Sequence, residues 1–265
     1  MSVSALPQQR SMVQAFLADT RVIARRNLLT LARTPQVVVF ASVQPVIFVL
    51  LFRYVFGGSI HVPGYASYAD FLIPGIVVQT TLFGGSSLTV KVAEDMSKGI
   101  TDRFRSLPMS RTAILAGATI ASVARTTFTL LLVTCVGLAV GFRFHTPWTH
   151  AVLALLVAIT FGYAFAWFFT LVGIVVRSTE AAQLAAFLPI FPLVLAASTF
   201  TSPKTMPSWL RTFADNQPIT QVVDSIRALT QGIDPATAPT LRALAWSAGI
   251  LIVCAVLSVR RFRNI

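Results

Sequence analysis

The sequence predicts an all-α integral membrane protein with six transmembrane helices, and three observations carry the prediction. Of its 265 residues 55% are apolar and 11% charged, against roughly a quarter charged in soluble domains. The apolar residues fall into six runs of about twenty, the length that a helix rising ~1.5 Å per residue needs to cross a hydrocarbon layer of roughly 30 Å. The basic residues lie unevenly between those runs, as membrane topology requires.

Residues 16–31 come first and are too short and polar to span. Phe16, Ile23, Leu28 and Leu31 share a broad apolar stripe flanked by Arg21, Arg25 and Arg26, a pattern suited to an interfacial helix along the inner leaflet. Pro35 ends it. Span one, 37–56, carries Arg53 near its outer end, where a long side chain snorkels as an anchor. Span two, 71–90, holds Gly84, Gly85, Ser86 and Ser87, small residues that suit close helix packing.

Span three, 112–142, would extend roughly 46 Å as one helix, so 112–124 is expected to project from the inner leaflet. Its Arg125 would cost about 2.5–3.5 kcal/mol at a bilayer centre. It should therefore face a partner, a cavity or the inner interface; facing a cavity, it would suit an anionic substrate. Spans four and five are 148–176 and 181–200, the latter kinked or interrupted by Pro189 and Pro192. Span six is 241–259. The connection 201–240 contains an amphipathic helix, "PITQVVDSIRALTQG", with Thr220 as N-cap, Val222, Val223, Ile226 and Leu229 on one face and Gly232 just past its end. An apolar face there wants lipid or neighbouring spans, and the helix is expected to dip into the outer leaflet.

The net charge of +12 invites a nucleic-acid reading, which the placement of the charges rejects. Arg10, Arg21, Arg25, Arg26 and Arg33 precede span one; Lys98, Arg103, Arg105 and Arg111 follow span two; Arg177 follows span four; Arg260, Arg261 and Arg263 end the chain. All fall on one side, which the positive-inside bias makes cytoplasmic, together with both termini. Trp148, Trp209, Trp246, Tyr54, Tyr65 and Tyr68 fall on the other, where amphipathic rings favour the interface. Cys135 and Cys254 lie inside spans and read as packing residues. The first 36 residues lack the pattern of a signal peptide.

No Cys or carboxylate accompanies His61, His145 and His150 at a metal-ligand spacing. No lysine follows a glycine, so no phosphate-binding loop is present. The nine carboxylates map to loops or span ends, which disfavours a carrier driven by protons or sodium. Energy for uphill transport would then come from another subunit.

The segment "AEDMSKGITDRFRSLPMSR", 93–111, has the parts for a cytoplasmic contact. Glu94 and Lys98 at i, i+4 extend the helix of span two until Gly99 breaks it. A second short helix would put Ile100, Phe104 and Leu107 on one face, with Asp102, Arg103 and Arg105 on the rim, until Pro108 stops it and Ser110 caps span three. An apolar knob with a charged rim suits a docking groove; spacing alone is equally compatible with a solvated basic loop.

Six spans, the amphipathic N-terminal helix, "FLIPGIVVQ", "EDMSKGITDRFRSLPMSR", "TMPSWLRTFADNQPITQVVDSIRAL" and the basic C-terminus together resemble the permeases of type 2 ATP-binding-cassette exporters, most closely the daunorubicin-resistance branch of actinobacteria. The resemblance implies a single transmembrane domain over 1–265, with 1–36 cytoplasmic or interfacial, 37–259 spanning and 260–265 a tail, in a bacterial plasma membrane. It implies two permeases, copies or sisters, driven by a separate ATPase dimer that holds the ATP and magnesium; the permease itself is no enzyme and has no cofactor. It places a coupling helix after span two, with Glu94, Gly99, Ile100, Arg103, Phe104, Leu107 and Pro108 against the ATPase. Here Ile100 stands between Gly99 and the threonine that usually follows the family's glycine. The outer helix would correspond to the family's membrane-dipping helices before the last span. The implied function is export of a hydrophobic or amphipathic compound such as a drug, antibiotic or lipid-like metabolite. A permease for a lipid-linked glycan and a non-transporting membrane anchor or sensor are the alternatives.

Overall fold

The computed structural model describes residues 12–57, 62–99, 111–176 and 178–263. Among them the chain forms nine α-helices and no strand: α1 Met12–Arg33, α2 Pro35–Leu51, α3 Tyr68–Ser97, α4 Arg111–Ala139, α5 Trp148–Val175, α6 Thr179–Leu195, α7 Ser208–Asn216, α8 Pro218–Gln231 and α9 Thr237–Arg263. A π-helical turn, Phe52–Phe56, extends α2. The six apolar runs coincide with α2, α3, α4, α5, α6 and α9. Of these α3, α4, α5 and α9 are long and apolar enough to cross a membrane, while α2 and α6 are shorter apolar helices. Phe128, Leu156, Leu184, Leu188, Ile252 and Val253 stand exposed on them, the surface of a protein solvated by lipid.

Several boundaries differ from the sequence reading. Helix α4 stops at Ala139 instead of Phe142, because Gly141 takes a φ of 109°. Phe142 then donates its backbone N–H to Gly137 O at 2.9 Å, a left-handed glycine cap. Two arginines supply further donors at this end: Arg53 Nε to Val140 O at 2.9 Å and Arg143 Nη1 to Leu138 O at 2.6 Å. Arg53, expected as a snorkelling anchor, is thus a bridge between α2 and the end of α4. Helix α6 runs unbroken through Pro189 and Pro192 and ends at Leu195, short of the expected Phe200; Ala196 closes its last turn on Pro192 O.

Helix α1 ends before Pro35, as read, but presents a different face. Thr20, Ile23, Ala24 and Asn27 are buried, one face at i, i+3, i+4, i+7, while Leu28 is exposed with Val22 and Leu29. The reason is a close approach to α4. A Cβ on Gly117 would lie 2.6 Å from Ile23 Cγ2.

Helix α3 sits at the centre, against α2, α4, α5, α6 and α8. Phe71, Leu72, Ile73, Ile76, Val78 and Leu82 are all buried. Lipid tails are as apolar as leucine, so helices here associate by close packing and hydrogen bonds rather than by escape from water. The α3–α5 seam does both. A Cβ at Gly85 would lie 2.6 Å from the Phe169 ring, one at Gly162 would lie 2.7 Å from Thr81 Cγ2, and one at Gly173 would lie 2.7 Å from Thr89 O. Thr89 Oγ1 donates to Phe169 O at 3.0 Å. Small residues also line the α9 face towards α5, where Ala243, Ser247, Cys254 and Ser258 are buried. Cys135 is exposed, so only Cys254 is a packing residue.

The outer connection forms the expected amphipathic helix. Helix α8 lies among α3, α5 and α9 with Ile219, Val222, Val223, Ile226 and Leu229 buried, so its apolar face meets neighbouring helices. Thr220 is not its cap. Gln217 holds that position with Pro218 in the first turn, and Thr220 Oγ1 accepts the backbone N–H of Ser198 at 3.2 Å. At the other end Gly232, at φ 68°, closes the helix as expected. The last carbonyls of α8 are met by the α4–α5 turn: Thr146 Oγ1 donates to Leu229 O at 2.6 Å, and His145 N–H to Thr230 O at 2.9 Å.

Arg227 joins these parts. Only 4% exposed, it donates Nε to Phe71 O at 2.9 Å, and Nη2 to Ser198 O at 2.7 Å and Thr199 O at 3.3 Å. Nη1 reaches Asp224 Oδ1 at 3.4 Å, and the guanidinium stacks 3.6 Å from the centroid of Phe71. Tyr65 packs edge-on against Phe71 at 5.2 Å and Tyr68 is buried. These two tyrosines therefore belong to the core around Arg227, whereas Tyr54, Trp148, Trp209 and Trp246 are exposed, as interface residues should be.

Arg227→Met should destabilise the protein by about 3–5 kcal/mol, the cost of removing one partner from a buried charged network. A tryptophan-fluorescence melt in detergent checks it; an unchanged midpoint would contradict the assignment. Gly75→Ala should also lower the midpoint, because its Cβ would meet the Thr199 carbonyl oxygen at 2.3 Å. Gly249→Ala, with nothing within 4 Å, should be neutral or raise it by up to ~1 kcal/mol.

Candidate functional site

Glu94 and Gly99, on the predicted coupling segment, sit where the sequence placed them. Helix α3 runs to Ser97, beyond the buried part that ends at Ala93. Glu94 and Lys98 form an exposed ion pair one turn apart. The hydrogen bond and charge of Glu94 hold the Lys98 ammonium above its ordinary range. Gly99, at φ 64°, then ends the helix with its N–H on Met96 O at 3.2 Å. Ile100, Arg103, Phe104, Leu107 and Pro108 lie outside the described residues. Arg21, Arg25 and Arg26 are exposed on α1.

Arg125 is the other predicted residue, and it occupies the middle of α4. Its Nη2 donates to Gly84 O at 2.7 Å and to the Ser87 hydroxyl, so the small-residue patch of α3 serves as acceptor as well as packing surface. Ser87 in turn donates to Gly84 O at 3.0 Å.

Two cavities share Arg125 and Ser87 as lining residues. One, of about 210 Å³, lies between α2, α3 and α4 and is bounded by Gln44, Gln79, Thr80, Thr126 and Thr129 with Phe40. The second, of about 240 Å³, lies between α1, α3 and α4 and is bounded by Asn27, Thr30, Thr34, Lys91 and Ser122. Lys91 Nζ donates to Asn27 Oδ1 at 3.3 Å across the α1–α3 gap. Among the described residues, buried atoms on both walls have no partner, Gln79 Oε1 on the first cavity and Ser122 Oγ on the second, and no carboxylate lines either cavity.

A third cavity, of about 230 Å³, has a different character. Ile73, Val77, Leu131, Phe142, Leu155 and Ile226 line it between α3, α4, α5 and α8. It suits an apolar guest. Among the described residues no cluster of His, Cys, Asp or Glu has a geometry for a metal ion.

Sequence reasoning found Arg125 because a charge inside an apolar run is costly. It missed Asn27, Lys91, Gln79 and Ser122 as a group. Lys91 directly follows the apolar run of span two and Asn27 lies one turn after Ile23 inside the expected α1 stripe, so only the packing of α1 against α3 and α4 brings them together.

Residues 18–230 match the family described as ABC-2 type transporter. Curated proteins are similar over most of their length. The "Daunorubicin resistance ABC transporter permease protein DrrB1" of Streptomyces coeruleorubidus is 32% identical over 90% of this chain and 84% of its own. The "Probable doxorubicin resistance ABC transporter permease protein DrrC" of Mycobacterium tuberculosis is 27% identical over 97% of this chain and 92% of its own. The "Doxorubicin resistance ABC transporter permease protein DrrB" of the same species is 28% identical over 73% of this chain and 68% of its own.

If the Lys91–Asn27 bond ties α1 to the bundle, Asn27→Leu should cost about 1–2 kcal/mol, in the range for a hydrogen bond to a charged group. In a double-mutant cycle with Lys91→Met the two losses should fall short of additive. Strict additivity in detergent melts would show that the pair does not interact.

Proposed function

We propose that this chain, which belongs to the ABC-2 type transporter family, is the permease through which a separate cassette ATPase drives hydrophobic or amphipathic compounds out of the cell. The observation that carries this reading is the shape of α3. Its first half is buried throughout, and its last turn, half-buried with Met96 against the core, leads to Gly99, which breaks it. A helix so anchored is a lever: force applied to the segment after Gly99 reaches the centre of the molecule through one rigid element. In this reading Glu94, Gly99, Ile100, Arg103, Phe104, Leu107 and Pro108 form the contact with the ATPase, which holds the ATP and magnesium.

Other features support the assignment. The relatives carry names of resistance to daunorubicin and doxorubicin, which motivates a drug or a similar amphiphile as cargo. The apolar cavity between α3, α4, α5 and α8 has the chemistry such a compound needs. Arginine-rich ends of α1 and α9 favour the cytoplasmic side of a bacterial plasma membrane, with Arg21, Arg25 and Arg26 holding α1 at the headgroups. Two permeases, identical or sister chains, would stand on the two ATPase subunits.

The test is transport in vesicles containing the permease and its partner ATPase. Phe104→Asp should abolish ATP-dependent export of an anthracycline. So should Gly99→Pro, since proline cannot adopt the positive φ found there. Both variants should insert and melt as the unaltered protein does. Glu94→Gln should also leave the melting midpoint in place, because its ion pair is exposed. Undiminished export by both Phe104→Asp and Gly99→Pro would refute the coupling role.

A further inference from the structure

We infer that the cavity between α1, α3 and α4 is a binding site for the headgroup phosphate of an anionic phospholipid of the adjacent leaflet. Three observations converge on it. Among the described residues two cations, Lys91 and Arg125, line the cavity and no carboxylate does. Arg125 spends its hydrogen bonds on a carbonyl and a hydroxyl, so among the described residues no anion neutralises it by contact. At headgroup level such a guanidinium is free to pair with a phosphate oxygen through charge-assisted hydrogen bonds. Ser122 is 8% exposed, and its Oγ, on the same wall, has no hydrogen-bond partner, which leaves a third donor for a phosphate oxygen.

Asp95 follows Lys91 by one turn and draws on its charge, so Arg125 is the principal anion ligand and Lys91 the second. The position of the cavity points to a lipid rather than a dissolved ion. Its outer wall is α1, whose exposed residues mix Arg21, Arg25 and Arg26 with Val22, Leu28 and Leu29, the composition of a helix at headgroup level. Leu88, Ala118 and Ala121 supply an apolar side to the same cavity. The neighbouring cavity, beyond Arg125, has exposed Phe40 at its rim and offers the unpartnered Gln79 Oε1 to a headgroup hydroxyl.

Native mass spectrometry of the full-length permease, released from nanodiscs of equal phosphatidylglycerol and phosphatidylcholine, tests the site. The unaltered protein should retain phosphatidylglycerol in preference, and Arg125→Gln should cut that preference about tenfold, the worth of one charge-assisted hydrogen bond. Ser122→Leu keeps both cations but fills the cavity, and should cut it as well; it covers the case in which Arg125→Gln fails to fold. Arg261→Gln, which removes an exposed charge at the end of α9, should change it less than twofold. Equal retention of the two lipids, a preference untouched by both cavity variants, or an equal loss with Arg261→Gln would overturn the site. Excess inorganic phosphate should leave the bound lipid in place; displacement would mark a free-anion site and overturn the lipid assignment. The readout is lipid retention, so it stands apart from the outcome of any export assay.

Discussion

A guanidinium among apolar helices is tolerated only when its donors are used, and Arg227 uses them to fasten its own helix to two other pieces of chain. Phe71 opens α3, Ser198 and Thr199 follow α6, and Arg227 itself lies on α8. The Ser198 and Thr199 carbonyls lie in the turn after α6, outside any helical ladder, and the Phe71 carbonyl lies in the first turn of α3. In hydrocarbon such groups cost several kcal/mol each if left unpaired. One side chain thus removes several liabilities at once. It also explains why a helix with only moderate apolar character is drawn among α3, α5 and α9 instead of lying on the bilayer.

The opposite end of the bundle is held differently. There the contacts are glycines against side chains and backbone, Gly117 on Ile23 and Gly173 on Thr89 and Val92, together with the Lys91–Asn27 bond between α1 and α3. Close packing of this kind resists separation but leaves polar space between the helices, and the two cavities around Arg125 occupy it. The bundle therefore has one end stitched by a charged network and another with room beside its buried cation.

Much of the fold was legible because its period and length signals are strong: six long apolar runs separated by proline, glycine and charge leave few alternatives. The positions of Pro35, Gly99 and Gly232 at helix ends followed from local backbone chemistry alone. What the sequence could not convey was which apolar surface meets protein and which meets lipid, since both partners are hydrocarbon and the pattern of residues is the same. That ambiguity covers the buried face of α1 and the placement of Tyr65 and Tyr68. Thr220 was misread for a related reason. A threonine near a helix start is a good cap in isolation, but here its oxygen is taken by Ser198 from another element. Arg125 was legible because desolvating a charge is expensive wherever it faces, while its companions Lys91 and Asn27 carried no such penalty in the sequence.

The proposed coupling acquires a physical route from the contrast between the two ends. Helix α3 is pinned at its start, where Phe71 accepts from Arg227, and ends in the exposed Glu94–Lys98 ion pair. A displacement after Gly99 would accordingly pivot α3 about its fixed end and reach Lys91, beside α1 and the Arg125 cavities, with most of its amplitude. The α3–α5 seam would move with it, because Gly85, Gly162 and Gly173 leave no slack for one helix to shift without the other. The polar cavities are then the compliant part of the molecule, and a lipid phosphate held between Lys91 and Arg125 would brace the helices on which that motion arrives.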